Sequence, residues 1–202
     1  MTDSADFWDA RYEAEEYIYG TVPNAYFRRQ LDLLPPGRLL LLAEGEGRNA
    51  VYAARRGWRV TAVDFSDEGR AKAQRLAVTQ GVHVDYQVAD LTALAWQRPG
   101  TYDAVGLIFA HLEVEDRRAV HAAAAACLAP GGHLILEAFS PAQLGLRSGG
   151  PRTAELLYQP AELARDFASL QLLENHEAAV VLHEGSFHAG PAQVVRLLAT
   201  RC

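Results

Sequence analysis

Cysteine is nearly absent: the 202-residue chain has two, Cys127 in an alanine-rich stretch and Cys202 at the last position. Two thiols so placed build neither a disulfide framework nor a four-thiolate metal site, and a reducing cytoplasm is the expected compartment. Lysine is rarer still. Lys72 stands alone among arginines, a preference that reads as coding bias. Positive charge is short overall, with 19 Lys and Arg against 25 Asp and Glu for a net charge of −6, and no stretch concentrates it. A chain of that sign is repelled by phosphate backbones, so nucleic acid is not an expected partner. No run approaches the ~18 consecutive apolar residues of a membrane span. The start MTDSADFWDARYEAEE has neither the basic cluster nor the apolar stretch of a signal segment. The expectation is a soluble, unprocessed chain whose 50% hydrophobic content supports one full-sized domain.

Within that domain, short apolar runs alternate with longer mixed ones, and Gly and Pro punctuate them. Residues 38–43, 102–109 and 133–139 read as strands buried on both faces, and 58–63 and 82–88 as partly alternating strands. Helical spacing occupies 48–56, 67–80 and 115–128; Ser66 is the expected N-cap of the second, and acids open the second and third. Strand–helix alternation forces right-handed crossovers and a parallel sheet with helices on both sides. The tail departs from this. After a helix over 160–167 come two β-rich runs, 170–184 and 192–201, separated only by a glycine-containing turn, so they must pair antiparallel. Two further helices, 3–16 and 24–34, precede the first strand. The fold class is therefore α/β: a Rossmann-like three-layer sandwich on a mostly parallel seven-stranded sheet, closed by a C-terminal antiparallel hairpin. It is organised as N-terminal helices over 1–36, a core over 37–139, and a loop with the hairpin over 140–202.

The run LLLLAEGEGRNA at 39–50 leaves a strand, turns on Gly45 and Gly47 and enters a helix. Glycines let backbone approach a ligand, and a helix start offers free N–H groups to an anion. The spacing Gly45-x-Gly47-x-x-Ala50, with Asp64 19 residues beyond Gly45, also satisfies a dinucleotide fingerprint. The loop by itself leaves open which adenosine-bearing ligand it takes.

Other segments carry a resemblance. DFWDARY at 6–12, EYIYGTVPNAY at 16–26, the glycine loop, VTAVDFS at 60–66, VAD at 88–90, YDAV at 102–105 and LAPGGHLILEAF at 128–139 together resemble the class I S-adenosylmethionine (SAM)-dependent methyltransferases. Within these, the resemblance is to the tellurite-resistance and thiopurine-methyltransferase-like group, and it spans almost the whole chain. It implies SAM as cofactor and a small molecule as methyl acceptor, a chalcogen oxyanion or a thiol. The backbone of Glu44, Gly45, Glu46 and Gly47 would face the methionine part, Asp64 the ribose hydroxyls, and Asp90 with Leu91 the adenine, with Phe65 on the adenine face. The segment holding Tyr19 would close over the cofactor as a lid.

One departure from the family pattern stands out: Leu41 and Ala43 occupy the positions of its usual acid and first glycine. Either Glu44 or Glu46 then meets the cofactor's ammonium, or affinity for SAM is weakened. This departure keeps a SAM-binding protein without catalysis as an alternative, and the loop spacing keeps an NAD(P)-dependent reductase. Methyl transfer needs positioning and water exclusion more than a covalent nucleophile or a metal, and no metal site is expected. The candidate substrate-facing residues are His111, after the fourth strand, and His188, in the C-terminal turn.

Overall fold

The computed structural model describes residues 5–202. Helices α1 (Ala5–Tyr12) and α2 (Ala25–Leu31) lead into β1 (Arg38–Leu42). There follow α3 (Arg48–Arg55), β2 (Arg59–Asp64), α4 (Asp67–Thr79), β3 (Asp85–Val88), β4 (Tyr102–Ile108), α5 (Val114–Cys127), β5 (Leu128–Phe139), α6 (Pro160–Asp166), β6 (Gln171–Glu184) and β7 (His188–Thr200). All seven strands form one sheet in the order β3-β2-β1-β4-β5-β7-β6. Strands β1 to β5 pair in parallel, and β7 runs antiparallel between β5 and β6.

The expected fold class is what the chain adopts. Leu39 to Leu42 are buried because β1 is central and flanked by parallel neighbours. Leu40 and Leu42 belong to the core under α5 and α6, while Leu39 and Leu41 belong to the core under α2, α3 and α4. Ser66 caps α4 by accepting from the Gly69 N–H at 2.9 Å. Pro160 opens α6, whose first turn is closed by reciprocal Gln159 and Glu162 bonds.

Boundaries differ where tertiary contacts override local pattern. The first helix stops at Tyr12 rather than Glu16, because the carbonyls beyond it turn toward Lys72; the expected helical residues Asp3 and Ser4 lie outside the described residues. Strand β5 begins at Leu128 instead of His133, since Leu128 already pairs with Tyr102 before a register shift. The final hairpin is tighter than expected: His188 pairs with Glu184, leaving three residues in the turn. None of the described helices is long and apolar enough to cross a membrane.

The sheet order reverses between β1 and β4, which places a crevice beyond their C-terminal ends. Because β7 is antiparallel to β5, its first residue, His188, arrives at that same end.

Candidate active site

A cavity of about 680 Å³ occupies this crevice. Its floor is the turn after β1. Gly45 (φ +61°) and Gly47 (φ +87°) use the left-handed region, and a Cβ on Gly47 would lie 2.5 Å from that of Ala73 on α4. Ala43 is also left-handed, at φ 54°, where an L-residue is strained by about 1–2 kcal/mol. Relief of that strain is partly offset by glycine's greater loss of freedom. Ala43→Gly is therefore expected to stabilise the fold by about 0.5–1 kcal/mol, read as a higher urea midpoint with an unchanged slope.

The two glutamates of the loop diverge. Glu46 turns back from the loop: Lys72 Nζ sits 2.7 Å from it, and the Ile18 and Tyr19 N–H groups each donate to it at 3.1 Å. Lys72 also donates to the carbonyls of Ala14 at 2.7 Å and Glu16 at 2.5 Å. The segment expected to form a lid is thus tied to Glu46 and to Lys72 on α4, which form a buried ion pair. Glu44 instead accepts from the Ala50 N–H at 2.7 Å and has no ion-pair partner among the described residues. Burial raises its carboxyl to about 7 against these hydrogen bonds. Asp64, at the end of β2, accepts from the N–H groups of Gly45 at 2.8 Å and Ser66 at 3.0 Å. Burial raises it to about 6.

Toward the β3 side, Asp90 Oδ1 takes both the N–H and the hydroxyl of Thr92 at 2.7 Å, leaving Oδ2 without a partner among the described residues. Phe65 and Leu91 line the cavity beside it. Tyr12, which the sequence did not single out as a site residue, roofs the glycine turn: a Cβ on Gly45 would lie 2.7 Å from its hydroxyl.

The opposite wall is aromatic. Phe109, at a strained φ of 56° just past β4, packs on Phe139 at 4.6 Å and on His188 at 4.5 Å between ring centroids. Tyr19 meets His188 at 4.6 Å. Gly149 (φ +118°) brings its loop so close that a Cβ there would lie 2.6 Å from His188 Cδ2. His111 lines the cavity, but both its nitrogens are engaged: Nδ1 lies 2.7 Å from the Leu156 carbonyl and Nε2 accepts from the Phe139 N–H at 3.2 Å. Burial lowers its pKa to about 4, so it is neutral and fixed. His188 makes no hydrogen bond through Nε2 among the described residues, and burial holds its pKa below the ordinary imidazole value.

A methyltransferase-domain family profile matches residues 39–132, the stretch that builds β1 to β5 and the glycine loop. The ubiquinone biosynthesis O-methyltransferase of Xanthomonas euvesicatoria pv. vesicatoria (strain 85-10) is 34% identical over 165 residues, covering 80% of this chain and 69% of that protein. The chain belongs to the SAM-dependent methyltransferases. The same-named enzyme of Xanthomonas campestris pv. campestris (strain B100) is 34% identical over 137 residues, 66% of this chain. That match covers 57% of the campestris protein, so the methyltransferase chain spans little more than half of its length.

Two solved structures share the methyltransferase fold. TehB from Haemophilus influenzae superposes with a TM-score of 0.74 at 17% identity, over 98% of this chain and 67% of that one. Magnesium protoporphyrin IX methyltransferase (ChlM) from Synechocystis PCC 6803, with bound SAM, gives 0.68 at 17% identity, over 98% and 95%. Family membership decides the glycine-loop ambiguity in favour of SAM over a nicotinamide dinucleotide. The cavity chemistry fits that cofactor: Glu44 and Asp64 are buried carboxylates in want of a cation and of hydroxyl donors, and Asp90 Oδ2 is a free acceptor.

Proposed function

We propose that this chain binds SAM on the β1–β3 side of the cavity and transfers its methyl group to a small thiol or hydroxyl compound held against the aromatic wall. The observation that carries the reading is the pairing within one cavity of cation-seeking acids on the floor with an unbonded imidazole nitrogen on the wall.

On this reading Glu44 receives the cofactor's ammonium and takes over from the missing acid at Leu41, whose side chain is buried in the core. Asp64 accepts from the ribose hydroxyls and Asp90 from the adenine amine, while Phe65 and Leu91 flank the base. Gly45 and Gly47 bring backbone against the methionine part, and Glu46 works at one remove by holding the segment with Tyr19 closed. Bound SAM supplies an electrophilic methyl group on a positively charged sulfur. The chain's own contribution is to orient the acceptor in line, exclude water and take its proton. His188 Nε2 is the base, and His111 is a fixed part of the wall. A multiply charged chalcogen oxyanion would lose its hydration against Phe109, Phe139 and Tyr19, and the buried guanidinium lining the cavity, Arg48, is already paired with Glu184, which favours the thiol or hydroxyl.

Glu44→Gln tests the cofactor half. Loss of a carboxylate–ammonium contact, about 1.5–3 kcal/mol, is expected to weaken SAM about ten- to a hundredfold by calorimetry. Because the carboxyl titrates near 7, wild-type affinity should fall as pH drops from 7 to 5, and the glutamine variant should lose that slope. Equal affinity and slope in both proteins would remove Glu44 from the site. Release of demethylated SAM with a panel of thiols and phenols tests the transfer itself.

A further inference from the structure

The hairpin turn between β6 and β7 sets two ionisable residues opposite each other: Glu184 and His188 are register partners, both buried. Cross-strand partners share a face of the sheet, so their side chains are neighbours by construction. His188 Nδ1 lies 3.6 Å from Glu184 Oε2. His188 Nδ1 is buried and has no hydrogen-bond partner among the described residues, and the Glu184 carboxylate is its complement once Nδ1 carries the proton.

Glu184 is itself anchored. Arg48 Nη2 pairs with Oε2 at 2.7 Å, and Asn24 Nδ2 donates to Oε1 at 2.9 Å. Arg48 stands on the first turn of α3, directly after the glycine loop, and also donates to the Tyr19 carbonyl at 3.0 Å. Asn24 caps α2 and is itself buried. The carboxylate, on β6, is therefore held by two residues from the N-terminal part of the chain. Glu137 nearby is matched by Arg196 at 2.6 Å, so the two acids and two guanidiniums cancel while His188 is neutral. The charged and titratable groups facing His188 are Glu184 from β6, Arg48 from α3, Arg11 from α1, His111 from the β4–α5 loop, and Tyr19 from the N-terminal segment. Of these only Glu184 favours its protonated form. Burial alone would raise the Glu184 carboxyl; His188 and Arg48 outweigh it and keep it below the usual carboxylate range, hence ionised.

We propose that Glu184 is the positioning residue for His188: its anchored carboxylate fixes the imidazole as the Nδ1–H tautomer and leaves the Nε2 lone pair to the acceptor. The inference rests on the reading of His188 as the base. A carboxylate behind an imidazole sets the tautomer, and the geometry then favours proton uptake on the far nitrogen. The acceptor S–H or O–H proton would pass to Nε2 as the acceptor's bond to the methyl carbon forms and that carbon's bond to the donor sulfur breaks, the electron pair staying on sulfur in the neutral demethylated donor; the imidazolium is stabilised by Glu184 until the proton leaves for solvent. Without the carboxylate, Nε2–H becomes the preferred tautomer and the base points the wrong way.

The experiment is a nitrogen-15 chemical-shift titration of the His188 ring, from pH 5 to 9, in the wild type and in Glu184→Gln. Glutamine keeps the size and can still accept from Asn24, and Glu184→Asp serves as the conservative variant. Expected are an Nδ1–H tautomer in the wild type, loss of that preference with a lower imidazole pKa in Glu184→Gln, and restoration in Glu184→Asp. Transfer to an alkyl thiol should fall about tenfold or more in kcat with KM little changed. Transfer to an acidic thiophenol, already ionised at pH 8, should change less than about threefold. An Nε2–H tautomer in the wild type, or the same tautomer in wild type and Glu184→Gln, overturns the proposal and needs no second protein to fold. His188→Gln separates the two failures: unchanged alkyl-thiol transfer there defeats the base reading, whereas a large loss there with no effect of Glu184→Gln defeats only the role of Glu184.

Discussion

His188→Gln is expected to lower methyl transfer to an un-ionised acceptor by about a hundred- to ten-thousandfold, the usual contribution of a placed general base. SAM affinity should stay within about twofold, because among the described residues no hydrogen bond or ion pair joins His188 to Glu44, Asp64 or Asp90. Glutamine fills a similar volume between Tyr19, Phe109 and Phe139 but takes up no proton at neutral pH. The pH profile adds a sign. Burial, together with Arg48 and Arg11, holds the imidazole below its ordinary value against the pull of Glu184. The wild-type base is therefore free at pH 7, and the acid limb of kcat should fall below the unperturbed value of about 6.5. In His188→Gln that limb should vanish, leaving a rate that follows only the acceptor's own ionisation. Rate loss paired with an equal loss of SAM affinity would mean that the substitution had disturbed the cofactor side instead.

Lys72→Met is expected to be the most destabilising single change, at about 3–5 kcal/mol, the cost of leaving one buried charge without its partner. Both side chains of the Lys72–Glu46 pair are only 1% exposed. Methionine fits the alkyl space but abandons Glu46 and the carbonyls of Ala14 and Glu16. For a chain of this size the loss corresponds to a fall in Tm on the order of 10 °C. Hydrogen exchange over residues 13–24 should rise more than elsewhere, since that segment is tied down through the lost contacts. Adding Glu46→Gln to Lys72→Met should recover part of the stability by removing the stranded charge. Urea unfolding of the single and double variants measures both effects, and additive losses would contradict the pairing.

Much of the architecture is legible in the linear chain for a plain reason: β1 and β4 are central strands and so carry apolar residues on both faces, and the short glycine-containing connection between the last two β-rich runs permits only antiparallel pairing of β6 with β7. The site was legible as far as chain order determines it. Asp64, Asp90 and Gly45 follow directly from the ends of successive strands, and all line one cavity, whereas Gly47 packs on Ala73 of α4. The direction of a side chain across a turn was not legible. Glu44 and Glu46 are two apart in one loop, and only the position of Lys72 on α4 decides that Glu46 turns away and Glu44 stays. His111 looked available because its two partners, Leu156 and the Phe139 N–H, come from other parts of the chain. Tyr12, Arg48 and Glu184 were not among the expected site residues for the same reason: each contacts a residue distant in sequence. The one signal that could have been used was Lys72 itself. In a chain that otherwise employs arginine, a compact ammonium with three donors suits converging carbonyls and a carboxylate better than a flat guanidinium does.

The position of β7 has a consequence for how the molecule is made. Translation delivers the glycine loop, Asp64 and Asp90 well before the strand that brings His188 to the cavity. Because β7 inserts between β5 and β6 rather than adding to an edge, the sheet stays split until that strand arrives. A polypeptide ending before Gly185 therefore carries the acids that line the cavity and lacks His188, so on the proposed reading the base joins the cofactor side only after β7 has emerged and paired.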